Sequence, residues 1–158
     1  MLEELRGQVA DALATLRQLA GGIYPDALVE HGLVAALEGV ASRAPVPVAL
    51  RAEGVGRRPP EVEAAVYFCV LEALQNVAKY AEATSAIVRL GERDGALEFE
   101  IADDGRGFDP SATTYGTGMQ GMVDRLDAIG GTLEVRSAPG EGTTVAGRVP
   151  ARTILSVT

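Results

Sequence analysis

Between Glu61 and Tyr80 the chain has little freedom in what it can become. Val66, Val70, Leu74 and Val77 recur at the spacing of one helical face, and an apolar face of that kind needs a sheet or another helix against it. Glu72 and Asn76, followed three and four residues later by Lys79 and Tyr80, form a second stripe whose side chains are neighbours on one flank. A carboxylate, an amide oxygen, an ammonium and a phenol so placed could orient water, ligate a hard divalent cation and steady phosphates. An amphipathic helix with a merely solvated polar face would show the same stripe. The stretch therefore constrains the fold before it constrains the chemistry.

The rest of the chain is arranged around this helix. Leu2, Leu5, Val9, Ala12, Leu16, Leu19 and Ile23 alternate in steps of three and four, the seam of a coiled coil or helical bundle. That arm reads as the second half of a helical hairpin or a dimer-forming segment, the alternative being a helix folded back on its own domain. Gly21-Gly22 ends it, and a second helix is expected from Ala27 to Arg43. Pro45 and Pro47 stop that helix, and Val46, Val48 and Leu50 suggest a short strand that proline confines to an edge. Pro59-Pro60 sits where helix starts tolerate proline, with Glu61 and Glu63 in the first turn favouring the dipole. Beyond the helix, strands are expected at Ser85–Leu90 and Ala96–Ala102 around the hairpin pair Asp94-Gly95. A helix follows at Met119–Ile129, then strands at Leu133–Arg136 and Thr143–Val149. This order predicts an α+β fold: a two-layer α/β sandwich with a mostly antiparallel sheet under helices, preceded by an N-terminal helical segment. The expected division is 1–44 for the helical arm and linker helix and 45–158 for the sandwich.

Composition excludes several functions. A net charge of −8 argues against a nucleic-acid groove, since phosphate backbones demand a basic surface. With one His and one Cys, a metal site of imidazole and thiolate cannot be built, so any cation should be oxygen-ligated. Cys69 lies in an apolar helical run, which suggests a buried thiol in a reducing compartment. No apolar run nears the roughly 18 residues of a membrane span, and Met1-Leu2-Glu3-Glu4 opens no signal peptide. A cytoplasmic domain without direct membrane contact is the expectation.

Three glycine-bearing stretches follow the central helix. Asp103-Asp104-Gly105-Arg106-Gly107-Phe108, at the end of an expected strand, sets a carboxylate beside a chain able to approach a ligand closely. Gly116-Thr117-Gly118-Met119-Gln120-Gly121 opens a helix, where spare amides and the dipole suit phosphate oxygens. Gly140-Glu141-Gly142-Thr143-Thr144 turns between strands with hydroxyls beside it. The second stretch spells the dinucleotide fingerprint, but no strand leads into it. A Gly-Lys-Ser/Thr phosphate loop does not occur.

In this order the stretches resemble the ATP-binding (Bergerat-type) domain shared by DNA gyrase, the heat-shock chaperone ATPase, sensor histidine kinases and the mismatch-repair ATPase. Glu72-x-x-x-Asn76-x-x-Lys79-Tyr80 looks like the N box of that superfamily. Asp103-x-Gly105-x-Gly107 looks like its G1 box, Gly116-x-Gly118-x-x-Gly121 its G2 box, and Gly140-x-Gly142-Thr143-Thr144 its last glycine–threonine box. Within the superfamily, Leu16-Arg17-x-Leu19-Ala20-x-Gly22-Ile23-Tyr24-Pro25, then Leu28 and His31-Gly32-Leu33-x-x-Ala36-Leu37, resembles the dimerisation hairpin end and linker of sensor histidine kinases of the NarX/DesK type. The short interval from Phe108 to Gly116 fits the abbreviated lid of that group.

The resemblance implies a site. Asp103 would accept a hydrogen bond from the adenine amino group, and Asn76 would ligate Mg²⁺ bridging the phosphates of ATP. Glu72 would orient a metal-bound water or act as a local base, and Lys79 would offset phosphate charge. Tyr80 would contact phosphate or lid. Gly105 and Gly107 would let the lid start close to the base. Gly116 and Gly118 would hinge it, and with Thr117, Met119 and Gly121 they would present the helix start to phosphates; Thr143 and Thr144 complete the ATP-binding set. It also implies partners: an acceptor-bearing dimerisation helix, a second copy in the full-length kinase and a cognate response regulator. The only histidine, His31, falls in the linker rather than on an acidic-flanked acceptor helix. The phosphoacceptor is therefore expected outside this chain. A serine kinase of the anti-sigma-factor type, which needs neither arm nor linker, and a passive nucleotide-binding or dimerisation module are the rival readings.

Overall fold

The computed structural model describes residues 26–109 and 117–150, with Asp26, Tyr80, Ala81, Thr117 and Gly118 described for their backbone alone. The expected arm at 2–23, Gly116 and the stretch before it from residue 110 lie outside the described residues.

Pro59 caps and Pro60 opens α3 (Pro60–Asn76), the long helix anticipated above. It follows α1 (Asp26–His31), α2 (Leu33–Arg43) and β1 (Val48–Glu53). The apolar face of α3 is sealed: Val62, Val66, Cys69 and Val70 are almost wholly buried, and Ala73, Leu74 and Val77 nearly so. After Asn76 the helix does not stop but widens into a π-helical turn, Val77–Ala81, and ends where Glu82 takes a left-handed backbone, φ 52°. Then come β2 (Ala86–Arg93), β3 (Ala96–Asp103), α4 (Thr117–Asp127), β4 (Thr132–Ser137) and β5 (Thr143–Pro150). The β2–β3 turn puts both Asp94 (φ 51°) and Gly95 (φ 75°) in the left-handed region, as a two-residue hairpin turn requires.

The strands form one five-stranded sheet in the order β1-β2-β3-β5-β4. Only β1 and β2 run parallel; the other pairs are antiparallel. Alternation divides the side chains cleanly. Val88, Leu90, Leu97, Phe99, Ile101, Val145 and Val149 are buried beneath the helices. The other face carries Arg89, Glu98, Glu100, Glu134, Arg136 and Arg148, joined by cross-strand ion pairs such as Arg89–Glu100 at 3.3 Å. Such solvated pairs are worth little individually and mainly keep that face wet.

Two details depart from the sequence expectation. The helix expected at Ala27–Arg43 is two helices, broken at Gly32 with φ 96°. A Cβ on Gly32 would lie 2.8 Å from Arg57 Cδ. The Arg57 guanidinium donates to the Val29 carbonyl at 3.2 Å and pairs with Glu63 at 3.1 Å. Glu63, expected merely to favour the helix dipole, is thus a buried carboxylate, 3% exposed, tying α3 to the end of α1.

Candidate functional site

β3 ends on two aspartates with opposite surroundings. Asp103 is half-buried, and its Oδ1 accepts the Gly105 amide at 2.8 Å. Burial lifts its pKa above the ordinary carboxylate value, against the opposing pull of the Gly105 and Thr143 amides. The carboxylate therefore sits in a low-dielectric recess, where a donor from a planar ligand is attractive. Asp104 turns the other way, toward the loop before β2. Its Oδ1 accepts the Thr84 amide at 2.8 Å and the Ser85 amide at 3.1 Å, and the Thr84 hydroxyl donates to Oδ2. The Thr84 hydroxyl above all, then the Ser85 and Thr84 amides, hold the Asp104 carboxyl down at about 2.

The glycines beyond Asp103 work largely through close packing. Gly107 has φ 62°, and a Cβ there would fall 2.1 Å from the Ala138 carbonyl. Gly142 has φ 73°, and its Cβ would fall 2.1 Å from the Asp103 carbonyl. The loop after β3 and the β4–β5 turn thus lie backbone to backbone, sealed by Gly140 N–H to the Arg106 carbonyl at 2.6 Å. Ser137 stitches the same seam: its hydroxyl takes the Phe108 amide at 2.9 Å, donates to the Gly142 carbonyl at 2.9 Å, and lies 2.9 Å from the Thr143 hydroxyl. Sequence reasoning missed Asp104, Thr84, Ser85 and Ser137. The aspartate doublet and the serine closing β4 were the available signals.

The remaining predicted residues fall in three places. Glu72 and Asn76 are partly exposed on successive turns of α3, with Lys79 and Tyr80 on the π turn beyond. Thr117 and Gly118 open α4, which packs against α3. Met119 turns inward to the core, and Gly121 packs on Phe68, 3.8 Å from where its Cβ would be. Thr143 pairs with Asp103 across the ladder. Thr144 pairs with Ala102 and so belongs to the opposite face of the sheet, apart from the others.

The donor set suits a nucleotide with a hard cation. Among the described residues no group of three or more His, Cys, Asp or Glu could hold a metal unaided. Glu72 and Asn76 offer two oxygens one turn apart, the sparse protein contribution expected where ligand phosphates and water complete the shell of Mg²⁺.

Residues 61–153 match the family model of histidine kinase-, DNA gyrase B-, and HSP90-like ATPases. The chain belongs to this family. It is 32% identical over 158 residues to the signal transduction histidine-protein kinase/phosphatase DegS of Brevibacillus brevis, covering 96% of this chain and 41% of that protein. It is 36% identical over 92 residues to the sensor histidine kinase LiaS of Bacillus subtilis strain 168, covering 56% of this chain and 25% of that one. The chain thus spans less than half the length of these relatives. Among solved structures, the blue-light activated histidine kinase of Erythrobacter litoralis EL346 superposes with a TM-score of 0.63 at 27% identity, over 75% of this chain and 42% of that one. The fold expected from sequence, an α+β sandwich of the histidine-kinase ATPase type, is the fold observed.

Proposed function

We propose that this chain is the ATP- and Mg²⁺-binding catalytic domain of a two-component sensor histidine kinase, passing the ATP γ-phosphoryl group to a histidine outside the chain. One observation carries the reading. The chain is similar to a signal transduction histidine kinase over nearly its whole length, and the helix bearing Glu72 and Asn76 packs against both α4 and β3, the strand that ends on Asp103.

When bound, ATP supplies the phosphoryl group and Mg²⁺ supplies charge neutralisation at its phosphates. The protein positions and screens. Asp103 accepts from the adenine amino group; a guanine carbonyl would bring acceptor against acceptor, leaving both unpaired. Asn76 would hold the cation through its amide oxygen, and Glu72 would orient water beside it or take a proton locally. Lys79 and the helix-start amides of Thr117 and Gly118 meet phosphate charge. The partners of this reading are an acceptor-bearing dimerisation helix, a second copy in the whole kinase and a response regulator. No helix among the described residues is long and apolar enough to cross a membrane.

The test is calorimetry with ATP, adenosine and Mg²⁺ on the chain and on Asn76→Ala. The expected result is Mg²⁺-dependent ATP binding that loses its metal dependence in the variant while adenosine binding persists. Undiminished Mg²⁺-ATP affinity in Asn76→Ala would remove Asn76 from the site.

A further inference from the structure

Phe68, Glu72 and Asn76 stand four residues apart, one above another on the same flank of α3. α4 is pressed against that flank. Gly121 lies at the Phe68 ring, and the neighbouring Met122 carbonyl accepts from Cys69 Sγ at 3.9 Å. One turn beyond Gly121, the Arg125 guanidinium lies over the Phe68 ring, its carbon 3.8 Å from the centroid. Nε of Arg125 is buried and has no hydrogen-bond partner. On the facing helix Glu72, one turn past Phe68, is partly exposed. A buried donor without a partner is unusual for a region whose only task is packing. Both charges are felt at the Cys69 thiol: burial first pushes it up to about 12, with Arg125 opposing and Glu72 adding.

We propose that Arg125 is a positioning residue for the phosphate half of the site, a role that rests on the nucleotide reading above. Stacked on Phe68, it locks α4 to α3 one turn from Glu72 and so fixes the helix start at Thr117 and Gly118 relative to Asn76. Its cation keeps the Glu72 flank electrostatically receptive to an anionic ligand. The stack needs a planar cation, which arginine supplies and lysine only approximates. The adenine half, built on Asp103 and the β4–β5 turn, does not depend on it.

That division gives the test. The whole chain and its Arg125→Met and Arg125→Lys variants are titrated with adenosine and with Mg²⁺-ATP. Arg125→Met keeps side-chain length and apolar contact but not charge; it should weaken Mg²⁺-ATP by about tenfold, with adenosine changed less than about twofold. Arg125→Lys should recover part of the loss. Phe68→Leu, which removes the ring and leaves the cation, should weaken Mg²⁺-ATP selectively as well. Equal weakening of both ligands in Arg125→Met would overturn the proposal in favour of general packing, and no weakening of either would overturn it outright. Failure of the unaltered chain to bind Mg²⁺-ATP would instead overturn the nucleotide reading, so the two failures are distinguishable.

Discussion

Asp103 and Asp104 are chemically identical neighbours that respond to pH with opposite sign. Burial raises the Asp103 pKa in the folded chain, so its contribution to stability is complete below the unfolded value and is lost as pH rises through the folded one. At neutral pH its ionised form is kept at a cost to the fold, as the adenine-binding role proposed above would require. Asp103→Asn should therefore leave the melting temperature level or slightly raised while abolishing preference for adenine over guanine nucleotides. A melting temperature many degrees lower, with nucleotide preference intact, would make Asp103 structural. ATP affinity should also fall on acidification at a higher pH than an ordinary carboxylate would give. Asp104 is depressed from 3.8 to about 2, so its stabilisation is present above about pH 4 and disappears as pH falls through about 2. Urea unfolding of Asp104→Asn against the native chain should show a gap that is widest at neutral pH and closes across that window. A gap independent of pH would mean that the ionised carboxylate is not what secures Thr84 and Ser85.

At the level of elements, sequence pattern located what repeats and missed what depends on contact. α3, the β2–β3 hairpin and both final strands were legible because period and turn chemistry are local properties of the chain. The break at Gly32 was not, since the α1–α2 apolar spacing runs through it and the side chain packed against it, Arg57, lies 25 positions on. The π turn at Val77–Ala81 has no pattern of its own, so Lys79 and Tyr80 could be assigned to the stripe but not placed on it. The glycines were legible as a set, yet their separate tasks were not. Gly140 and Gly142 both have positive φ, but a Cβ on Gly140 would meet nothing within 4 Å, whereas one on Gly142 would strike the Asp103 carbonyl. Gly140→Ala should cost about 1 kcal/mol, the left-handed penalty alone. Gly142→Ala should cost roughly 3 kcal/mol or more, because backbone must move as well, and it should weaken adenosine binding by displacing Asp103. Comparable melting temperatures for the two variants would show that the β4–β5 turn shifts freely and that the seam does not set the position of Asp103.

Across the whole molecule, the four motif stretches could be read in the sequence because each keeps its residue types within a few positions. Their arrangement in space depends on the ladder joining Asp103 to Thr143 and on α4 lying against α3, which only the fold supplies. The same scale decides what the lone histidine can do. His31 ends α1 beside Gly32, whose would-be Cβ is 3.5 Å from the Glu63 carboxylate, so it stands at the first turn of α3. Asn76 closes that helix thirteen residues after Glu63, about 20 Å away at 1.5 Å per residue. A γ-phosphoryl group held at Asn76 is thus at the wrong end of a rigid rod for transfer to His31. The chain incubated alone with labelled ATP should gain no acid-labile phosphate. Supplied in trans with a helical fragment carrying an acceptor histidine, it should transfer label that acid removes, because phosphohistidine is acid-labile and phosphoserine is not. The seam at Leu5, Val9, Ala12, Leu16 and Leu19 is the segment expected to hold that fragment, turning a bimolecular encounter into a held one. Acid-labile label on His31 itself would contradict the distance argument. Acid-stable label on the fragment would favour the serine-kinase reading, and intact ATP binding without any transfer would leave a passive nucleotide module.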